Sequence, residues 1–177
     1  MSKKIKCGLA ALVTMFAMFC ANAQDQATKP NALLNLMRFE GQWEAPTTMV
    51  LEGKTYLFTY YLEFKKTADG SGLSMEEWFS SPELGTLKGS NLIGYNGNDE
   101  KIHWFSVDNF GTSHEHIGVW KTNDHFYMQA NEKQQSKKFV ENINMVFKSN
   151  DLLELTLTAS LDGNEFEKVS GLFQRKK

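Results

Sequence analysis

From residue 41 onward, apolar and polar residues alternate along most of the chain, and this period of two predicts β-strands. The segment 56–64 is the clearest case, because every second residue in it is aromatic or leucine. Turn-forming pairs such as Glu52-Gly53 and Asp162-Gly163 separate successive segments. The pattern predicts ten strands, at 42–51, 54–65, 73–79, 87–95, 100–108, 113–122, 125–132, 138–148, 152–161 and 165–175.

One short segment before the strands has the spacing of a helix. Asn31 can cap a helix that begins at Ala32, with an apolar stripe of leucines and Met37, and Gly41 ends it. No linker rich in proline, serine or glycine follows, so 31–177 is expected to form one domain. Ten consecutive antiparallel strands must close or leave exposed edges. We therefore expect an all-β fold, an antiparallel up-and-down β-barrel of about ten strands with a short N-terminal helix.

The apolar faces of neighbouring strands predict how those strands pair. A three-residue turn at 149–151 sets Phe147 opposite Leu153, whereas a two-residue turn would set apolar residues against polar ones. The same test favours a three-residue turn at 162–164, which brings the apolar faces of the last two strands together. The apolar pattern does not decide the register between the fourth and fifth strands.

The first 23 residues carry the features of a signal peptide. A basic stretch with three lysines precedes an apolar run at 7–19, and Ala21-Asn22-Ala23 matches the small-x-small pattern of a cleavage site. The run of thirteen residues is too short for a membrane-spanning helix, which needs about 20. We expect cleavage after Ala23 and a periplasmic or secreted protein, with 24–30 as a polar lead-in to the barrel.

Cleavage would limit the chemistry of the mature domain. Cys7 and Cys20 are the only cysteines, so the mature protein would have no disulfide, thiolate metal site or cysteine nucleophile. A lipid on Cys20 is not expected, because Phe19 stands where lipoprotein signals require a small residue. The mature chain would keep 16 basic and 21 acidic residues, so the formal charge would change from −2 to −5. Neither value offers the basic surface that nucleic-acid binding requires.

A short helix followed by Gly41-Gln42-Trp43 at the start of the first strand resembles the Gly-x-Trp signature of lipocalins. In that family the tryptophan plugs the closed end of the barrel, and an arginine near the end of the last strand packs across it. Arg175 stands at the matching position of this sequence. The resemblance implies a calycin-type barrel in which Trp43 and Arg175 form a structural plug.

Longer motifs resemble the bacterial DUF1579 family, which is itself lipocalin-like and has no established activity. The matching motifs keep their order and spacing across most of the expected domain, at 41–44, 92–96, 104–108, 118–120 and 168–176. This resemblance implies a fold and no binding residue. The lipocalin Thr-Asp-Tyr motif between strands six and seven is matched only loosely, by Thr122-Asn123-Asp124.

Two histidines raise the question of a metal site. His114 and His116 lie on one face of a strand. A two-residue turn after Thr122 would place His125 about 20 Å from His116, too far for both to bind one ion. The same pairing points Ile117 into the barrel. We therefore expect two solvated histidines on the outer face or rim, and no metal site.

The inward face of the barrel supplies candidates for a ligand cavity. The registers place Glu141 opposite Ala159 and Ala159 opposite Glu167, so both carboxylates lie on the apolar face, about 10 Å apart. A carboxylate there must be paired, solvated or kept neutral. The two glutamates are either rim residues in water or groups that orient a cationic or hydroxyl-bearing ligand at the cavity entrance. Aromatic stripes supply candidate walls, at Tyr56, Phe58, Tyr60 and Trp104.

These features favour a binding protein over an enzyme. The sequence has no catalytic signature such as the Gly-x-Ser-x-Gly elbow of serine hydrolases. An exported closed barrel with aromatic stripes suits the binding of a small hydrophobic or amphipathic molecule. We expect no catalytic residue and no cofactor. Two alternatives stay open, an enzyme of unknown reaction on the same barrel and a barrel filled by side chains that acts as an interaction or structural module. The oligomeric state is also open.

Overall fold

The computed structural model describes residues 31–134 and 136–177, so the expected signal peptide (1–23) and lead-in (24–30) lie outside the described residues. Helix α1 (Ala32–Leu36) is capped by Asn31, and a 3₁₀ turn (Met37–Phe39) leads into the barrel. No helix in this part of the chain is long and apolar enough to span a membrane. Ten strands follow: β1 (Gly41–Leu51), β2 (Lys54–Thr67), β3 (Gly72–Ser81), β4 (Gly85–Asn96), β5 (Lys101–Asp108), β6 (Ser113–Trp120), β7 (His125–Gln134), β8 (Lys137–Ser149), β9 (Leu152–Leu161) and β10 (Asn164–Arg175).

The ten strands form a closed antiparallel barrel, which confirms the predicted fold class. Strands adjacent in sequence pair with each other, and β1 pairs with β10 to complete the ring. The turns therefore alternate between the two ends of the barrel. Helix α1, Arg175 and the turns after the even-numbered strands share one end, which we call the closed end. The turns after the odd-numbered strands share the other, which we call the open end.

The registers predicted for the last three strands are confirmed. Phe147 pairs with Leu153. Ala159 pairs with Glu141 on one side and with Glu167 on the other. These pairings hold because each of the three strands has one clearly more apolar face, and a shift by one residue would expose that face to water.

The turns that produce these registers differ from the predicted ones. Two residues, not three, separate β8 from β9 and β9 from β10. A register shift lies beside each turn, between Phe147 and Ser149 and between Glu165 and Glu167. A β-bulge inserts one residue into one strand, so it shifts the pairing as a third turn residue would.

The expected pairing of β6 with β7 is wrong by one residue. The turn holds three residues, 122–124, because the amide of Lys121 donates to the carbonyl of His125 at 2.8 Å. A shift of one residue exchanges the two faces of a strand, so His116 points into the barrel and Ile117 points outward. His116 is 3% exposed and the side chain of His114 is 14% exposed. The expectation of two solvated histidines is therefore wrong.

Aromatic side chains fill the closed end of the barrel. Trp43 is fully buried, and its indole nitrogen donates to the carbonyl of Phe39 at 2.8 Å. The guanidinium carbon of Arg175 lies 4.0 Å from the centroid of the Trp43 ring. The guanidinium also donates to the backbone carbonyl oxygens of Arg38, Glu40 and Asn150, and it pairs with the carboxylate of Asp151. These contacts join the last strand to the turns around it.

Replacing Arg175 by lysine should lower the free energy of unfolding by about 1–3 kcal/mol. Lysine keeps the charge, but its ammonium group cannot stack flat on Trp43 while donating in several directions. Urea denaturation measures the change. Lys176→Ala is the control, because the Lys176 ammonium pairs with a solvent-exposed carboxylate, an interaction that contributes little. Equal losses in the two variants would contradict the structural role of Arg175.

Candidate functional site

The open half of the barrel encloses a cavity of about 550 Å³. The aromatic cluster at the closed end limits the cavity on one side. On the other side the cavity extends to the open-end turns, where Leu84, Phe110 and Phe166 line it. Most of the remaining lining is leucine, methionine, isoleucine, valine and aromatic side chains. The alternative of a barrel filled by side chains does not fit this interior.

One wall of the cavity, formed by β2 to β5, carries a continuous set of hydrogen bonds. The hydroxyl of Tyr60 donates to the carboxylate of Glu77, and the amide of Asn91 donates to the other carboxylate oxygen at 3.1 Å. The indole nitrogen of Trp104 donates to Asn91 Oδ1 at 2.8 Å. Gly89 on β4 leaves room for the carboxylate, since a Cβ there would lie 2.6 Å from Glu77 Oε1. Both oxygens of Glu77 are thus held within the wall.

Burial is the largest cause of the pKa shifts of Glu77 and Tyr60 in this wall. It raises the pKa of the Glu77 carboxyl, although the hydrogen bonds from Tyr60 and Asn91 act in the opposite direction. Burial also raises the pKa of Tyr60 well above its ordinary value, and the nearby charge of Glu77 adds to the shift. Tyr60 therefore remains a neutral hydrogen-bond donor whose proton is directed at Glu77.

A buried histidine–carboxylate pair lies on the next part of the wall. His116 Nε2 on β6 lies 2.5 Å from Glu141 Oε2 on β8, and their side chains are 4% and 12% exposed. The strand between them places the small side chain of Ala130 beside Glu141, which lets the two longer side chains meet. The other ring nitrogen, His116 Nδ1, is buried and has no hydrogen-bond partner among residues 31–134 and 136–177. His116 is among the residues that line the cavity.

His114 has a separate setting beside this pair. His114 Nδ1 lies 2.6 Å from Glu132 Oε1, and the imidazole stacks on Phe139 with ring centroids 5.0 Å apart. Within residues 31–134 and 136–177, no group of three or more His, Cys, Asp and Glu side chains is placed to hold a metal ion. The two histidines thus have different carboxylate partners, and their rings meet edge to face with centroids 5.9 Å apart.

Glu167 on β10 supplies a carboxyl group that titrates near neutrality. Burial raises its pKa to about 7, and the neighbouring charge of Glu141 contributes to the shift. At pH 7 the group is therefore protonated in a large share of molecules and can donate a hydrogen bond. Glu141 itself is 9% exposed and paired with His116. The interpretation of these two glutamates as rim residues in water does not hold for Glu141.

The predicted cavity residues fall into two groups. Four of them line the cavity: Tyr60, Trp104, Glu141 and Glu167. Phe58 and Tyr56, nearer the open end of β2, are not among the lining residues. Phe58 stacks on Phe79 with ring centroids 4.1 Å apart, and the Lys54 ammonium lies 4.9 Å from the centre of the Tyr56 ring.

Sequence reasoning missed His116, Glu77 and Asn91. The wrong β6–β7 pairing placed His116 on the outer face. Glu77 alternates with Met75 and Phe79, both buried, so the period of two could have placed its carboxylate inside. No local pattern marks Asn91, because its importance comes from its contacts with neighbouring strands.

Comparisons with known proteins inform the fold. No family model and no curated protein matches the chain. Among solved structures, the barrel is similar to an S-type phycobiliprotein lyase from Guillardia theta, with a TM-score of 0.56 and 14% sequence identity over 80% of this chain and 90% of that chain. The fold is lipocalin-like. A sequence identity of 14% shows that the two proteins share a fold and does not show that they share a function. The function is therefore inferred from the cavity.

Proposed function

We propose that this lipocalin-like barrel binds a small, partly apolar molecule in its interior. The observation that carries the proposal is the cavity of about 550 Å³ between the filled closed end and the open-end turns. Small-molecule sites have volumes of about 300–1,000 Å³ and largely apolar walls with a few polar groups. Burial of the ligand's apolar surface would contribute about 25 cal/mol per Å². The similar barrel of a phycobiliprotein lyase supports the proposal at the level of architecture.

The charges of the lining favour a neutral or cationic ligand over an anionic one. Four acidic residues line the cavity, whereas no lysine or arginine among the described residues does so; the four are Glu77, Asp108, Glu141 and Glu167. An anionic group would meet these acidic side chains without a lysine or arginine to compensate them, which is unfavourable in a partly desolvated interior. A hydroxyl, amine or ammonium group would instead find acceptors in the acidic side chains of the lining.

The proposal includes export and membership in the DUF1579 family. Export is supported by the basic stretch, apolar run and small-x-small tripeptide within residues 1–23. Family membership is supported by the ordered motifs between Gly41 and Lys176. N-terminal sequencing of the protein from the cell envelope should find Gln24 as the first residue. A chain that still begins at Met1 in the cytoplasm would contradict export.

A neutral aromatic amine tests the cavity directly. N-phenyl-1-naphthylamine becomes fluorescent in apolar surroundings, and we expect it to bind the wild-type barrel. Leu157 lines the cavity, so Leu157→Trp should fill part of it and raise the Kd by about tenfold or more, equivalent to about 1.4 kcal/mol. Fluorescence titration measures the Kd.

Leu57→Trp is the matched control for this titration. Leu57 is 74% exposed on the outside of β2, so the same substitution there leaves the cavity unchanged. Its Kd should equal that of the wild type. If the two tryptophan variants bind the probe equally well, the probe sits outside the barrel and the proposed function is wrong.

A further inference from the structure

Two of the four acidic side chains of the cavity are fully engaged by the protein itself. Each carboxylate oxygen of Glu77 accepts a hydrogen bond from a side chain of its own wall. Each oxygen of Asp108 accepts hydrogen bonds from the turn between β5 and β6. A polar group on a ligand would therefore be recognised by the other two acidic residues of the lining, Glu141 and Glu167.

Three carboxylate oxygens of these two residues have no partner within residues 31–134 and 136–177. Glu141 Oε2 contacts His116, whereas Glu141 Oε1 and both oxygens of Glu167 have neither a hydrogen bond nor an ion pair. In this part of the chain, the only side-chain nitrogen or oxygen atoms that are fully buried and unpartnered are His116 Nδ1 and Trp120 Nε1. The three carboxylate oxygens therefore keep accessible surface, and both glutamates line the cavity.

The two glutamates belong to one region of the wall, which also carries aromatic rings. Both pair with Ala159, Glu141 from β8 and Glu167 from β10, so their Cα atoms are about 10 Å apart. Ala159 is buried in a cluster with Phe139, and Phe166 packs against that cluster. Both rings line the cavity. We call Glu141, Glu167, Phe139 and Phe166 the acidic subsite.

No cationic side chain of the described residues balances Glu167. No lysine or arginine lines the cavity. His116 lies beside Glu141, and His114, with its ring 5.9 Å from that of His116, lies beside Glu132, so a positive charge on either ring would face a carboxylate of its own. Burial and the charge of Glu141 raise the pKa of Glu167 to about 7. A cation on a bound molecule would offset the cost of ionising this desolvated carboxyl group.

We propose that the ligand of this barrel carries a protonated primary amine, which binds to the acidic subsite, on an apolar body that occupies the deeper cavity. A primary ammonium group has three N–H donors, and three carboxylate oxygens of the subsite are open to it. Ile143 and Val169 line the cavity two residues nearer the closed end on the same strands, where the apolar body would lie. This inference rests on the proposed function, because the amine must enter the same cavity.

Four compounds with the same eight-carbon chain test the head group: octylamine, octanol, octanoate and octyltrimethylammonium. Displacement of N-phenyl-1-naphthylamine from the wild-type barrel at pH 8 gives the affinity of each. At this pH octylamine is protonated, and Glu167, with its pKa of about 7, is mostly ionised. Octylamine should bind about tenfold or more tightly than octanol and octyltrimethylammonium, since only octylamine combines the charge with N–H donors. Octanoate should bind most weakly.

Two substitutions locate the ammonium group. Glu167→Gln should weaken octylamine binding about tenfold and leave octanol binding nearly unchanged, because glutamine keeps the shape of the side chain and loses its charge. Glu141→Gln should act in the same direction with a smaller loss, since Glu141 also contacts His116. Glu165→Gln is the matched control, because the Glu165 side chain is 54% exposed and does not line the cavity. Its affinity for octylamine should equal that of the wild type.

A further readout needs no variant and replaces the substitutions if circular dichroism shows that they unfold the barrel. Carbon NMR of the wild-type protein follows the ionisation of Glu167. Bound octylamine should lower the pKa of Glu167, because an adjacent cation favours the carboxylate, whereas octanol should not. A pKa of Glu167 that is the same with both compounds bound would refute the ammonium group at this subsite.

The outcomes separate this inference from the proposed function. If octanol displaces the fluorescent probe and octylamine binds no more tightly, the inference is wrong and the proposed function stands. The same conclusion follows if octyltrimethylammonium binds as tightly as octylamine, or if folded Glu167→Gln and Glu141→Gln both bind octylamine as the wild type does. If neither the fluorescent probe nor any of the four compounds binds, both are wrong.

Discussion

Replacing Gly118 by alanine should lower the free energy of unfolding by about 2–3 kcal/mol, within the usual range for overpacking a core. A Cβ at position 118 would overlap the ring of Phe126. Phe126 is completely buried and packs against the rings of Phe39, Trp104 and Trp120. It therefore has little space to move. Urea denaturation followed by tryptophan fluorescence measures the change.

Gly94→Ala is the matched control, because Gly94 also lies within a strand but a Cβ there would have no atom within 4 Å. This variant should be as stable as the wild type or gain up to about 1 kcal/mol, since glycine weakens a strand interior. Equal destabilisation of both variants would contradict the inward orientation of Gly118. It would equally contradict the inward orientation of His116, which lies on the same face of β6.

Glu167→Gln should stabilise the barrel at high pH and leave it unchanged at low pH. Burial raises the pKa of Glu167 from its ordinary 4.5 to about 7. Between these values the folded protein holds a proton that the unfolded chain releases, so the free energy of unfolding falls as the pH rises through that range. Glutamine cannot ionise. At pH 8 the variant should therefore exceed the wild type by roughly 2–3 kcal/mol, and at pH 4 the two should agree.

Urea denaturation at the two pH values measures this difference, and Glu165→Gln serves as its control. The Glu165 side chain is 54% exposed and lies 3.5 Å from the Lys168 ammonium, so its substitution should change stability by less than about 0.5 kcal/mol. A difference between wild type and Glu167→Gln that is the same at pH 4 and pH 8 would show that Glu167 is not a desolvated carboxyl group.

The fold could be predicted from the sequence because most strands have one clearly more apolar face. In β8 to β10 the alternation is strong enough to select a register, and that register also placed Glu141 and Glu167 inside the barrel. Predicting their turns was harder, because a bulge and a longer turn have the same effect on pairing.

The candidate site was only partly predictable, because its polar residues break the alternation that reveals strands. In β6 the inward face carries His116 and Gly118, whereas Ile117 and Val119 on the outward face are more hydrophobic. A test based on apolar residues therefore selects the wrong face. Such conflicts between pattern and structure are expected at functional sites.

The partner of His116 could not be inferred from pairing alone. Glu141 lies on β8, two strands from His116, and the two side chains meet across the strand that carries Ala130. Contacts across an intervening strand depend on side-chain length and on the small residue between them. No spacing rule along the sequence contains that information.

A crystal structure of the protein with N-phenyl-1-naphthylamine tests the central claim, an interior that binds a small molecule, most directly. The proposal predicts electron density for the probe within the cavity of about 550 Å³. The secondary amine of the probe should lie within hydrogen-bond distance, about 2.7–3.2 Å, of an acidic side chain of the cavity lining. A barrel interior closed by side chains, or a probe bound only to the outer surface, would contradict the account.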